Sequence, residues 1–316
     1  MKLAAIDIGS NGARLLISRV LEHKPGERKL RQPNTHLFKD VEYIRYALQL
    51  GKDVFRKGKI GKKRQDELFK LMQVYRLMLD LHEVDDCMAL ATSAFREAEN
   101  GQELVDYIAT EIGIQIEIID GTREAEILNR VIIKQLEPNK NHLHIDVGGG
   151  STELNLYVNQ SKVATRSFEV GSIRNVADSQ KAFVEMQSWI EAQLLENTTG
   201  APVIAVGTGG NINKIHALLE GNGKPITRKE IIDIVDYVNG FTFAEKVNLL
   251  ELNPDRADTI IPATNIYLYA MEWANAEVMI VPKLGLKDGM MEEMFERQKN
   301  KQKVTKSSLQ KPIHAC

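Results

Sequence analysis

The chain has 316 residues, with 41 basic and 43 acidic side chains and a net charge of −2. At roughly 150 residues per domain, this leaves room for about two domains with sizeable cores. Hydrophobic residues at 43% and charged ones at 27% exclude wholesale disorder, and the balanced charge excludes a protein that coats nucleic acid nonspecifically.

Two cysteines, Cys87 and Cys316, make neither a disulfide framework nor a cysteine metal cluster. The opening MKLAAIDIGSNGARLLI is too polar for a secretory leader, and no apolar run approaches the ~20 residues that span a bilayer. A cytoplasmic location and no membrane or nucleic-acid partner are expected.

Strand and helix patterns alternate along the chain, so the expected fold class is α/β. Segments 3–7 and 14–20 read as strands around a Gly-Ser-Asn-Gly turn. Residues 65–82 carry Leu68, Leu71, Met72, Tyr75 and Leu79 at helical spacing. A buried strand over 87–92 precedes an amphipathic helix over 101–112 that stops at Gly113. Alternation predicts a strand over 114–120 and a helix over 124–136. Strands follow at 143–147 and 153–158, the latter turning into a partner strand, and then at 203–207 and 278–281. Helices are expected near 180–195, 211–220, 227–239, 242–251 and 263–276. From Lys299 onward the lysines and polar residues show almost no periodicity and read as a frayed tail.

An internal echo organises these elements. The run from Ile6 to Leu15 lies over Ile145 to Leu154 without a gap, at a constant offset of 139. Each copy is a strand, an acid, a Gly-rich turn and a second strand, which points to two lobes of related topology. Glycine turns after strands let backbone amides converge on an anion. Three are present: Gly9-Ser10-Asn11-Gly12, Gly148-Gly149-Gly150-Ser151-Thr152, and Gly207-Thr208-Gly209-Gly210-Asn211 opening a helix. Their spacing matches neither a P-loop nor a dinucleotide fingerprint. Beside them stand Asp7, Asp146 and Glu153, acids of the kind that hold Mg²⁺ together with substrate phosphates. Read in isolation, Asp146 also suits a turn-stabilising role and Glu153 a solvated strand position. Glu124 suits the first turn of a helix, where negative charge is favoured, and Arg96 a salt-bridged helix start.

Together these residues resemble the exopolyphosphatase/guanosine pentaphosphate phosphohydrolase family, within the actin-like ATPase superfamily. The resemblance runs over about residues 2–298, through AAIDIGSN, ATSAFREAENG, EIIDGTREAEIL, HIDVGGGSTEL, VGTGGNINKI, RADTIIPA and GLKDGM. It implies two actin-like (ribonuclease H-like) lobes with the active site in the cleft between them. The expected lobes are 1–122 and 123–286, with a helix over about 287–300 folding back on the first and a flexible tail over 301–316. The resemblance makes Glu124 the general base and Arg96 the cation that offsets developing charge. It puts Asp146 and Glu153 around Mg²⁺, with Asp7 as a further acid beside them. Asn11, Gly148, Gly149, Gly150, Ser151, Thr152, Gly209 and Gly210 would hold phosphate.

The chain departs from the family at Arg123, where a glutamate is usual, and at Gly12, where a serine is usual. GLKDG stands where GLREG is common. The match ends near residue 300, without the C-terminal helical extension of long members, which implies weaker processivity. The expected substrate is inorganic polyphosphate, with the guanosine pentaphosphate pppGpp as the alternative. A nonhydrolytic sensor and an actin-like sugar kinase stay open as other classes. Residues 52–64, with seven basic side chains and one acid, are either a polyanion track or a solvated loop and helix start. Relatives that pair through the second lobe make a homodimer an expectation.

Overall fold

The computed structural model describes residues 1–21, 37–174, 176–198 and 200–309. The first sheet grows from a central strand, β1 (Lys2–Ile8), whose unbroken apolar run is buried on both faces. An antiparallel hairpin adds β2 (Ala13–Val20), and β3 (Phe38–Tyr46) pairs antiparallel to that. Helices α1 (Gly51–Lys57) and α2 (Lys62–Leu81) lead to β4 (Asp86–Ala91), which lies parallel to β1. Two further helices, α3 (Ser93–Glu97) and α4 (Gly101–Ile112), precede the short parallel β5 (Ile116–Ile118). Even-numbered β1 residues Ala4, Ile6 and Ile8 pack with Leu68, Met72, Tyr75 and Leu79 of α2. The alternation of a strand sends Leu3 and Ala5 to the opposite face.

The second half begins with α5 (Gly121–Ile132) and runs through β6 (Asn141–Val147), β7 (Thr152–Val158) and β8 (Ser161–Phe168). Then come α6 (Val176–Asn197), β9 (Val203–Thr208), α7 (Gly210–Leu218) and β10 (Ile226–Thr227). Helices α8 (Arg228–Asn239), α9 (Phe243–Asn248), α10 (Pro254–Ala257) and α11 (Ile260–Trp273) follow, before β11 (Val278–Ile280) and α12 (Leu286–Leu309). The first sheet has the order β3-β2-β1-β4-β5, and the second β8-β7-β6-β9-β11 with β10 added at its edge. Strand for strand, parallel and antiparallel pairings agree. This is the arrangement of two lobes of related topology that the internal echo anticipates.

The repeat holds at finer grain. The first hairpin pairs Asp7 with Arg14 and Ile8 with Ala13, and the second pairs Asp146 with Glu153 and Val147 with Thr152. An irregularity in register follows Ile17 on one side and Leu156 on the other, again 139 residues apart.

Two helices join the halves. Helix α12 packs Leu286, Met290, Met291 and Met294 against Leu3, Ala5 and Leu90 of the first sheet. Helix α5 contributes Ile127 to that cluster, while its Val131 and Ile132 pack with Tyr157 and Val206 of the second sheet. The two helices cross closely at Gly289, where a Cβ would lie 2.3 Å from the Ile127 carbonyl oxygen. Arg123, the departure beside Glu124, is spent on this junction. Its guanidinium pairs with the buried Glu293 of α12, which also meets Arg130 and Arg297. Despite burial, these arginines hold the Glu293 carboxyl below its usual range.

The structure differs from the sequence reading at weakly patterned segments. Strand β3 was not anticipated, because as an edge strand it is mostly exposed and lacks a continuous apolar face. Strand β10 has only two residues, and β5 is shorter than the alternation over 114–120 suggests. Residues 301–309 continue α12 where an aperiodic tail is expected, and the remainder of that tail, 310–316, lies outside the described residues. The Gly289→Ala variant should lose about 1–3 kcal/mol of stability through overpacking at backbone that cannot give way. Denaturant titration tests this, and an unchanged midpoint would show that the crossing tolerates a methyl group.

Candidate active site

The three glycine turns meet at one cavity of about 190 Å³ between the sheets. In the first, the Gly9 amide donates to the Gly12 carbonyl at 3.1 Å, and in the second Gly148 donates to Ser151 at 2.9 Å, the same bond 139 residues later. Ser10 lies against Gly149, so the two turns meet, and its hydroxyl is 2.7 Å from that of Ser93. Carbonyls of the second turn are engaged within the protein: Gly148 and Gly149 accept from the amides of Ser172 and Ile173, and Gly150 from Arg174.

Of the expected phosphate-binding residues, Asn11, Gly148, Gly149, Ser151, Gly209 and Gly210 line the cavity. Gly150 faces Phe55 and Ser93 instead, and the buried Thr152 hydroxyl donates to the Val170 carbonyl at 2.7 Å. Neither of these two is among the residues that line the cavity. At Gly12 a Cβ would lie 2.8 Å from the Tyr46 carbonyl oxygen, so β3 closes over this turn more tightly than a serine permits.

Glu124 reaches the cavity because of how α5 starts. Asp120 caps the helix by accepting from the Arg123 amide at 2.8 Å. Gly121 then sits so close to Ser167 that a Cβ would lie 2.6 Å from the serine's own. The first turn of the helix thus drops onto β7 and β8. Glu124, Asp146 and Glu153 each offer a carboxylate oxygen, and these oxygens lie within 4.8 Å of one another. Glu153 is held by Ser167, which donates to Oε1 at 2.8 Å, and by the Ser151 hydroxyl. One Glu124 oxygen, Oε2, is buried and has no hydrogen-bond partner.

Three buried carboxylates this close cannot all carry charge cheaply. Burial, followed by neighbouring charge, pushes Asp146 up to about 6 and Glu153 up to about 7. Burial and then the charges of Glu153 and Asp146 raise Glu124 well above the carboxylate range. An all-oxygen, all-anionic set with an unsatisfied buried oxygen suits a hard divalent cation such as Mg²⁺. Asp7 lies outside this trio. Its carboxylate accepts from Arg14 at 2.7 Å, so the first hairpin carries an ion pair where the second carries two acids.

Arg96 is exposed at the rim and donates to the Ile119 carbonyl at 2.8 Å, yet its charge still acts to lower Glu124 and Glu153. Other cations occupy the cavity wall itself. Arg14, Arg45 and Arg256 converge there with Lys283 and Lys287. Burial, then the charges of Arg45 and Arg14, lowers the Arg256 pKa, the mark of like charges crowded together. Asp255 of α10 ties the second half to the first by accepting from Asn11 at 3.1 Å and from Arg45 of β3. Sequence reading missed Arg45 because its strand was missed. Arg14 stood inside the internal echo, opposite the position of Glu153, and Arg256 inside the RADTIIPA segment. The basic stretch 52–64 is largely engaged elsewhere: Lys52 with Asp258, Lys62 with Asp66, Lys63 with Glu67, and Arg64 with Asp53.

Raised carboxylate pKa values carry a sign for stability. Unfolded Asp146 and Glu153 ionise near 3.8 and 4.5 but near 6 and 7 when folded, so the folded state binds more protons between those values. The cluster's cost is absent below pH 4 and grows as pH rises through 7. In EDTA, Asp146→Asn should match the wild-type melting temperature at pH 4 and exceed it at pH 8, and Mg²⁺ should narrow the gap. A difference independent of pH would refute the buried-charge origin.

Among the described residues, no helix is long and apolar enough to cross a membrane. The sequence profile described as the Ppx/GppA phosphatase family matches residues 30–298. Over 94% of its length the chain is 26% identical to the bifunctional 3-dehydroquinate synthase/phosphatase of Fusobacterium nucleatum, of which it spans about half, 47%. It is 21% identical to exopolyphosphatase 1 of Mycobacterium tuberculosis, over 92% of this chain and 87% of that one. An exopolyphosphatase structure from Cytophaga hutchinsonii matches with a TM-score of 0.75 at 23% identity, over 94% of this chain and 98% of that one. The Aquifex aeolicus Ppx/GppA family member matches with a TM-score of 0.71, at the same identity and coverages. These two structures share the fold, and with the profile covering most of the sequence the chain belongs to the Ppx/GppA phosphatase family, a family of hydrolases.

Proposed function

We propose that this protein releases orthophosphate from the ends of inorganic polyphosphate by hydrolysing the terminal phosphoanhydride bond. The observation that carries the reading is the carboxylate trio set against a glycine-rich turn, with a cationic wall on the same cavity. Phosphoryl transfer asks chiefly for positioning and electrostatic stabilisation, which these groups supply.

In this reading the turn from Gly148 to Ser151 and the residues Asn11, Gly209 and Gly210 hold the terminal phosphoryl group. Arg14, Arg45 and Arg256 take the phosphates behind it. Asp146 and Glu153, with the trio's remaining oxygens, hold a divalent cation that neutralises phosphate charge when bound. The unpartnered Glu124 Oε2 accepts the proton of the attacking water as its oxygen bonds to phosphorus. The bridging P–O bond breaks, and the shortened chain leaves with its negative charge against the arginines. Arg96 acts from the rim, its positive charge opposing the raised proton affinity of Glu124.

General-base assistance is worth ~10²–10⁴-fold. Glu124→Gln should therefore lower kcat at least about a hundredfold while the melting temperature is no lower than that of the wild type. Turnover near wild type would remove Glu124 from the base role. Arg256→Ala should raise KM for polyphosphate by about tenfold, the cost of roughly one charge-assisted contact. Replacing Lys57, Lys59, Lys62 and Lys63 together by glutamine should leave KM within about twofold of wild type, since none of the four lines the cavity. A large KM increase that grows with polymer length would restore that stretch as a track. Phosphate release measured side by side from polyphosphate, pppGpp and ATP with Mg²⁺ decides the substrate. Faster release from pppGpp would overturn the polyphosphate assignment, and binding without release would make the protein a sensor.

A further inference from the structure

Below the carboxylate trio, the second sheet carries a row of buried polar side chains that the fold does not need. Asn155 stands opposite His144 across β7 and β6, and Thr165 stands opposite Asn155 across β8 and β7. Thr208, on β9, is opposite Asp146. His144, Asn155 and Thr208 are wholly buried. Burying such groups is costly unless each is hydrogen-bonded.

Here they bond to one another in sequence. The Thr165 hydroxyl donates to Asn155 Oδ1 at 2.7 Å, which fixes the amide so that Nδ2 faces His144 Nδ1 at 3.1 Å. An amide nitrogen only donates, so Nδ1 is the accepting ring nitrogen and the proton sits on Nε2. That nitrogen lies 2.8 Å from the Thr208 hydroxyl. Having accepted from histidine, the hydroxyl has its own proton to give, and Asp146 is its register partner across β9 and β6.

The first lobe is the control. At the offset of 139, His144 corresponds to Ala5 and Asn155 to Leu16, and the position opposite Asp7 that corresponds to Thr208 is Leu90. All three belong to one apolar cluster. Apolar residues therefore fill the same face of the same topology. The polar row appears only in the lobe whose hairpin carries two acids rather than an acid and an arginine.

We propose that Thr165, Asn155, His144 and Thr208 form a directional hydrogen-bond relay in which His144 is a positioning residue. It holds the Thr208 hydroxyl as a donor to Asp146 and so presents the free face of that carboxylate to the cation and to Glu124. The inference rests on the hydrolytic reading of the site. Partners behind a ligating group typically matter by 10–100-fold in metal affinity or activity.

The test replaces His144 and Asn155 with the residues that the first lobe uses, as the double variant His144→Ala with Asn155→Leu, and compares it with His144→Gln, whose amide nitrogen can donate where Nε2 does. Mn²⁺ binding is followed by electron paramagnetic resonance without substrate, and kcat and KM for polyphosphate are measured alongside the melting temperature. The expected result is about tenfold weaker Mn²⁺ binding and about tenfold lower kcat in the double variant, with KM within twofold and His144→Gln restoring most of both. Wild-type Mn²⁺ affinity in the folded double variant would overturn the relay, as would a His144→Gln variant that folds but restores nothing. If the double variant does not fold, the His144→Gln result decides alone: near-wild-type Mn²⁺ binding supports the relay, and a tenfold loss overturns it. A wild-type protein that neither binds Mn²⁺ nor releases phosphate would instead overturn the hydrolytic reading and the relay with it.

Discussion

Buried like charge is the constraint around which the molecule is organised. Asp146 and Glu153 face each other across a hairpin, and Glu124 is lowered onto them from α5, so three carboxylates share a space where water screens them little. A cross-strand pair of acids is unfavourable even on a surface. Inside a protein it persists only if the surroundings enforce it, and much of the architecture does so. Asp120 and Gly121 set the height of α5, while Ser151 and Ser167 hold Glu153. Arg123 and Glu293 brace the same helix from α12.

The duplicated topology shows how a single change of charge divides the labour. Both hairpins close with the same turn bond and share a register irregularity at equivalent positions. In the first, Arg14 neutralises Asp7 and the sheet behind is apolar. In the second, the arginine's place is taken by Glu153, and hydrogen-bonding side chains replace the apolar residues behind it. The first lobe brings Arg14 and Arg45 to the cleft, where Arg256 of the second joins them, and the second lobe concentrates the carboxylates.

Overall charge balance conceals this arrangement. The net charge of −2 spreads over the entire chain, whereas the cavity sorts its charges into an anionic trio and an arginine-lysine wall. On the scale of a Debye length, about 10 Å at ordinary salt, the sorting matters and the sum does not.

Local rules wrote much of this into the sequence. The strand-acid-glycine-turn pattern, its repetition at a fixed offset, and the helical spacing along α2 follow from backbone sterics and periodicity, which act between near neighbours. Asp146, Glu153 and the glycines could therefore be picked out as candidates directly, whereas Glu124 stood out only through the family resemblance. Contacts between distant residues were decided only by tertiary structure. Nothing in the spacing shows that Arg123 turns away from Glu124 to Glu293, 170 residues on, or that Asp7 is claimed by Arg14, Thr152 by the Val170 carbonyl, and Gly150 packs against Phe55 and Ser93. Nor does it show Arg45, on an exposed edge strand, joining Arg14 and Arg256 at the cleft. Chain-local patterns record which chemistry is carried, but the energies of burial and of charge pairing depend on distances that exist only once the sheets have packed.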